Sequence, residues 1–283
     1  MPMYTADAAQ AWLPQDIGDL VTRPVTQESV AITAAGSIRA SEDANSYRVP
    51  LVAADPTAAW TAEGAEITAT DAQFDEVADT FHKLAGLTII SRELAEDTSP
   101  DAAQQVGFGL ARDIARKLDA AFFGSRGAST LQPLGLADLT GTNTIDAGAA
   151  WGNADPFTEA VYAAEGEGAA LSAFVANPVD ALALSSIKEQ TGSNKALLQP
   201  DATQANRRLV AGVPLLTSPA VAPGTVWGIP GAGRVVIVIR DDVRLEISRE
   251  AYFSSDRVGV KATLRATFLY PHELAIQEIS LTP

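Results

Sequence analysis

The sequence predicts an α+β protein. Three stretches carry that expectation: one long capped helix over 98–124, a segment in which helix and strand patterns alternate, and a closing segment from Val226 that reads as strands. Segregation of helical and strand-rich stretches is the mark of this class.

Residues 1–48 read as an extended arm. Short apolar pieces (Trp12-Leu13, Ile17, Leu20-Val21, Val30-Ala31-Ile32) are separated by Pro14, Gly18, Pro24 and Gly36, and no helix or strand pattern persists. An arm this apolar must lie on its own body or on a neighbour. Residues 49–80 form a long excursion with Trp60 expected at its base and Asp71, Asp75, Glu76 and Asp79 along an acidic return limb. A long excursion without a core stripe is uncommon in a compact domain and usually binds something.

In the helix at 98–124, Ser99 is the expected N-cap and Pro100 the first helical residue. Val106, Leu110, Ile114, Leu118 and Phe122 recur every four residues as one apolar stripe, and Gly124 is placed as a left-handed C-terminal residue. Then follow a helix starting at Asp155-Pro156, a strand at 171–177, a helix capped by Asn177 and ending near Gly192, and a strand at 209–218. These make a small α/β lobe. Beyond it, 234–250 reads as two strands around Asp241-Asp242. Residues 258–269 alternate, with Val258, Val260, Ala262, Leu264, Ala266 and Phe268 inward, and Gly259, Lys261, Thr263, Arg265, Thr267 and Leu269 on a wetter side. A last strand is expected at 273–281.

Bulk properties narrow the function. The chain has 283 residues, 47% hydrophobic and 19% charged, enough for a sizeable core of small and aliphatic side chains. A net charge of −15 argues against a nucleic-acid reader and against docking on anionic membranes. With no cysteine, disulfides, thiolate catalysis and cysteine-ligated metals are excluded. The N-terminus lacks a signal-peptide pattern, and no apolar run approaches a membrane span.

Catalytic constellations are missing. His82 and His272 lie far apart and in no zinc-binding frame. No nucleophile elbow occurs. The Gly-x-Gly pairs at 107–109 and 231–233 complete no phosphate loop. Asp241-Asp242 and Glu246 with Glu250 read as solvated carboxylates. The expectation is a protein that is not an enzyme and takes no cofactor or metal.

The order of short motifs carries a resemblance. Trp60-x-x-Glu63-Gly64 is followed by Lys83 to Ala85, Ser91 to Leu94, Asp119 to Gly124, Pro133 to Gly135, Asn177-Pro178, Gly212 to Pro214 and Asp256 to Arg265. No single piece is specific, but eight in order resemble the Hong Kong ninety-seven type major capsid protein of tailed bacteriophages. The resemblance implies an anatomy: N-terminal arm 1–48, extended β-hairpin loop 49–80, peripheral domain with spine helix 81–134, axial α/β domain 135–225, peripheral sheet 226–271, and a final strand 272–283 returning to the axial domain. It implies self-assembly as hexamers and pentamers into an icosahedral head shell around double-stranded DNA, in a virion formed in the host cytoplasm.

The implied partners are further copies of the chain, a portal protein, packaged DNA held without sequence-specific binding, and optionally a decoration protein. Many family members carry a scaffolding segment before the arm. Here the arm begins almost at Met1, so a separate scaffolding protein is expected, with a trimmed chain as the alternative. Expected subunit contacts are Trp12 in the arm and Trp60, Glu63, Glu66, Asp71, Phe74 and Glu76 in the loop. Local core packing is the alternative role for Trp60.

Some members cross-link a loop lysine to a neighbour's asparagine with a glutamate's help. Here Val49 to Thr80 contains no lysine, and Ile67, Asp256 and Thr263 stand near the three positions, so no cross-link is expected; Lys83 is the closest amine. Two other functions compete: an encapsulin-type nanocompartment shell of the same fold, and an α/β enzyme with 49–80 as a lid.

Overall fold

The computed structural model describes residues 29–41, 44–54, 56–62, 64, 66, 69–91, 101–190, 193, 196, 198, 208–231 and 233–282. Trp12, Glu63, Ile67, Ser99, Pro100 and Gly192 therefore lie outside the described residues, as does the arm before Ser29.

The architecture is mixed α+β, with two larger sheets and a separate hairpin. The four-stranded sheet has the order β1 (Ser37–Arg39), β10 (Val236–Tyr252), β11 (Arg257–Leu269), β4 (His82–Ser91). In it β1 runs parallel to β10 and the other pairs are antiparallel. The six-stranded sheet has the order β5 (Asn143–Asp146), β12 (Gln277–Ser280), β9 (Thr225–Pro230), β6 (Leu171–Ala176), β8 (Val213–Thr217), β7 (Arg208–Val210). The hairpin pairs β2 (Ser46–Ala54) with β3 (Gln73–Thr80).

Helix α2 (Asp101–Phe123) lies on the inner face of the four-stranded sheet. Its apolar stripe faces the core as the spacing predicts, with Ile114, Leu118 and Phe122 sealed, Val106 and Leu110 partly buried, and Ala111 and Ala115 filling the turns between. Phe122 meets Phe123 and Phe268 edge-on at 5.0 and 5.2 Å. The same core continues into Ala173, Val175, Trp227 and Ile229 of the six-stranded sheet. That sheet's other face is covered by α3 (Asp155–Gly166) and α4 (Pro178–Ser186) around Phe157, Phe174 and Leu184.

Several expectations need correction. Residues 29–39 of the arm lie on their own body, one of the two places expected, but as a short helix and a strand where no pattern was read. Ser29 caps a short helix, α1 (Val30–Ala35), whose Ala31, Ile32, Ala34 and Ala35 are buried in the main core. The anchor is Asp119 of α2, which accepts from the Ser29 hydroxyl at 2.6 Å and from the Val30 and Ala31 amides at 3.0 and 3.1 Å. These groups sit at the positive end of the short helix.

Gly124 has no left-handed backbone. Glycine is needed where Gly135 crosses it: a Cβ on Gly135 would collide with the carbonyl oxygens of Gly124 and Ala121.

The stretch expected as two strands around Asp241-Asp242 is one strand, β10, with register shifts between Ile239, Asp241 and Arg244. Bulges absorb the charged pair without ending the ladder. The single strand expected at 209–218 is a hairpin instead. Ala211 and Gly212, at φ 49° and 81°, form the two-residue turn between β7 and β8.

Helix α4 stops at Ser186, short of Gly192. Strand β9 belongs to the six-stranded sheet, so the chain crosses to the four-stranded sheet after Pro230, not at Val226. The last strand is only Gln277–Ser280, preceded by a 3₁₀ turn at Glu273–Ala275. Strand β11 alternates as expected, except that Gly259, Thr267 and Leu269 on its wetter side are buried; Tyr252 lies against Gly259, and the hairpin base packs over the Thr267–Leu269 end.

Candidate functional site

The β2–β3 hairpin is two-faced by its pleat. Tyr47 and Val49 on β2 and Val77 on β3 share the side that packs, with Phe81, on Val236, Val238 and Leu269. Asp79 on that side accepts from the Thr267 hydroxyl at 2.6 Å, tying the hairpin base to β11. His82, the first residue of β4, sets its Nε2 3.6 Å from the same carboxylate, and that nitrogen is buried without a hydrogen-bond partner. Only the base is held this way.

The opposite side carries Arg48, Pro50 and Val52 facing Ala78, Glu76 and Phe74 in register. Arg48 and Glu76 form an exposed ion pair at 3.0 Å. Val52 and Phe74 are direct cross-strand neighbours, 55% and 76% exposed, and make an apolar patch near the distal end of the ribbon. Such pairs are the unit of hairpin stability, yet this one also leaves a large aromatic surface in water.

Beyond the strands, the distal segment is pinned by Thr70, whose hydroxyl accepts from the Thr57 amide at 3.0 Å and donates to its carbonyl at 3.1 Å. Trp60 lies in this distal segment and is fully exposed. It was expected at the base, and that placement is wrong: the paired strands separate it from the body. The alternative of local core packing is also excluded, because Trp60 belongs to none of the hydrophobic clusters. Glu66 and Asp71 are exposed in the same segment.

Of the expected contact residues, Trp60, Glu66, Asp71, Phe74 and Glu76 therefore fall on one hairpin, and Trp12 and Glu63 are outside the described residues. Sequence reasoning missed Val52 and Arg48, whose importance comes from pairing register. It also missed Leu87 and Ile89 on the outer face of β4, 58% and 42% exposed. The alternation Lys83, Ala85, Leu87, Ile89 was the signal for that face.

Among the described residues no group of three or more histidines, cysteines or carboxylates is placed to hold a metal, and no helix is long and apolar enough to cross a membrane. The exposed side of the hairpin offers apolar burial and charge pairing to a macromolecule.

Known proteins share this architecture. The capsid of a native GTA particle superimposes with a TM-score of 0.71 at 22% identity, over 90% of this chain and 91% of that one. Microbacterium phage Oxtober96 gives a TM-score of 0.72 at 19% identity, with the same coverage of both chains. Mycobacterium phage Bobi gives 0.71 at 15% identity, again over 90% and 91%. At such identities the likeness concerns the fold. No curated protein matches the chain in sequence. A match to the phage capsid family model favours a viral-type shell over the nanocompartment alternative. With the model of the phage capsid family matching residues 10–276, the chain belongs to the phage capsid family and is a capsid shell protein.

Proposed function

We propose that this chain is the major subunit of a tailed-phage head, assembling as hexamers and pentamers into an icosahedral shell around double-stranded DNA. The observation that carries this reading is the hairpin: Trp60, Phe74 and Val52 present apolar surface that their own chain leaves uncovered. Exposed aromatics clustered on a projecting element mark an interaction surface. The two-stranded ribbon, marginal by itself in water, gains its partner sheet from an adjacent subunit.

In this reading the hairpin is the extended loop, α2 with the four-stranded sheet is the peripheral domain, and the six-stranded sheet with α3 and α4 is the axial domain. A separate scaffolding protein guides assembly, a portal protein occupies one vertex, and a decoration protein is an optional addition. The chain is made in the host cytoplasm and resides in the virion. Its acidity keeps the packaged DNA from binding the shell tightly. It acts structurally, without catalysis.

Sedimentation tests the reading. The purified chain is expected to run as capsomers or closed shells. A monodisperse monomer at about ten micromolar, where an interface of ordinary affinity is occupied, would overturn it.

A further inference from the structure

The chain crosses between its two larger sheets at 231–235, from β9 to β10, and returns at 270–276, from β11 to β12. Three side chains meet where these crossings pass each other. Arg234, on the first, sets its Nη1 2.5 Å from Nδ1 of His272, on the second. Its Nη2 donates to the Gly168 carbonyl at 2.6 Å, in the loop between α3 and β6. His272 Nε2 lies 3.5 Å from a carboxylate oxygen of Glu167 in that same loop. A further tie joins this loop to the first crossing: the Gly231 amide donates to the Ala170 carbonyl at 2.9 Å.

The contact with Arg234 assigns the imidazole proton. A guanidinium carries only N–H donors and no acceptor, so Nδ1 must offer its lone pair. The ring proton then sits on Nε2, toward Glu167, and in this geometry the imidazole is neutral. A proton taken up at Nδ1 sets two N–H groups and two positive charges head to head at hydrogen-bond distance, and the Arg234 bond breaks. The same proton turns the Nε2–Glu167 contact into an ion pair. His272 thus has one partner for each protonation state, and the partly exposed His272 and Glu167 side chains let the proton arrive from water.

We propose that Arg234, His272 and Glu167 form a proton-operated clamp on the junction between the two sheets, closed while the imidazole is neutral and released from Arg234 when it is protonated. The clamp goes beyond the shell reading and does not rest on it, since every group belongs to one chain. Histidine suits such a switch because it changes charge between about pH 5 and 8. The sign follows from the nearer contact: the Arg234 bond is present at the upper end of that range and is lost as pH falls through it. The other titratable groups on the elements packed here leave Arg234 as the repelling cation. Glu273, in the same 3₁₀ turn, accepts from the Gly141 amide at 3.1 Å. The Tyr270 hydroxyl donates to the Leu134 carbonyl at 2.9 Å. On α3, Asp155, Glu159 and Glu165 are exposed carboxylates. Asp146, at the far end of β5, accepts from the Gly148 amide at 2.8 Å and from the Thr282 hydroxyl.

Hydrogen–deuterium exchange of the full chain, read by mass spectrometry, tests the clamp. The amides of Arg234, Ala275 and Ile276, bonded to the carbonyls of Gly231, His272 and Glu273, report on the two crossings. Protection is compared at about pH 7.5 and about pH 5.5, on either side of ordinary histidine titration, after correction for the intrinsic rate at each pH. In the wild type, peptides over 231–235 and 270–276 are expected to lose protection by at least about threefold on acidification, while buried strand β6 holds its own. His272→Gln keeps a carbonyl that can accept from Arg234 and does not titrate, so its crossings should stay protected at both pH values. Arg234→Ala removes the repelling cation and should abolish the acid-induced loss. His82→Gln, at the chain's other histidine, should leave the loss intact.

Circular dichroism reads folding, and if His272→Gln fails to fold, Arg234→Ala decides between the outcomes. Wild-type crossings equally protected at both pH values would overturn the proposal. So would an acid-induced loss that persists in His272→Gln or in Arg234→Ala, or one that disappears in His82→Gln.

Discussion

Asp119 is the residue on which the N-terminal segment depends. Its carboxylate takes all three hydrogen bonds that hold Ser29, Val30 and Ala31 against α2. Asp119→Ala leaves these buried donors unpaired and is expected to destabilise the subunit by about 2–4 kcal/mol, measured by chemical denaturation. The pH dependence has a defined sign. Burial pushes the Asp119 carboxyl above its usual range, more than the bonds from Ser29, Ala31 and Val30 pull it down.

A carboxyl raised in the folded state contributes most stability below its unfolded value and loses that contribution as pH rises through the folded one. Asp119→Asn should remove this slope, and denaturation midpoints across the acid range check it. None of this was legible in the sequence. The link spans about ninety residues between two segments, and neither alone shows a cap. The Asp119–Gly124 motif marked the position but not its role.

At the scale of elements, the long helix was legible because a four-residue stripe needs only local sequence. The hairpin was legible as an excursion, through its carboxylates and its missing core stripe. Its geometry was not: whether Trp60 sits at the base or the tip depends on where pairing stops, and the ladder runs on to Ala54 opposite Gln73, with the Thr57–Thr70 bonds beyond it. Strand β10 was divided because paired aspartates resemble a turn. In the structure Arg265 across the ladder and Arg244 on the same strand hold Asp241 at 3.6 and 3.7 Å, so the bulge keeps its charge paired.

The hairpin is tied down at Asp79, Val49 and Val77, with its distal half projecting. In unassembled subunits protease should cut first within about 55–72, because few contacts oppose local opening, and assembly should protect these bonds. Equal resistance in both states would contradict the account. Trp60→Ala is expected to leave the subunit's unfolding midpoint unchanged, within about 0.5 kcal/mol as for an exposed site, while reducing assembly. Loss of folding would restore the core role that the structure denies it.

For the whole molecule, the bulk properties limited what the chain could be, and the order of motifs named the family. The cluster of Lys83, Lys261 and Arg265 on the four-stranded sheet escaped notice, because β4 is distant in sequence from β11 and the two meet only through register. Covalent reinforcement is not expected. With no lysine between Val49 and Thr80, the hairpin has no amine to attack a neighbour's amide. Boiled particles on a denaturing gel should give a single band near 29.5 kDa. A ladder of dimers to hexamers would contradict this and would make Lys83 the first residue to change.

The central claim is that the uncovered hairpin is completed by copies of the same chain in a closed shell. Electron cryo-microscopy of the purified protein tests it most directly. The account predicts closed icosahedral particles built of hexamers and pentamers, with each hairpin lying on the adjacent subunit. Dispersed single subunits, or particles in which the hairpin folds back on its own body, would contradict it.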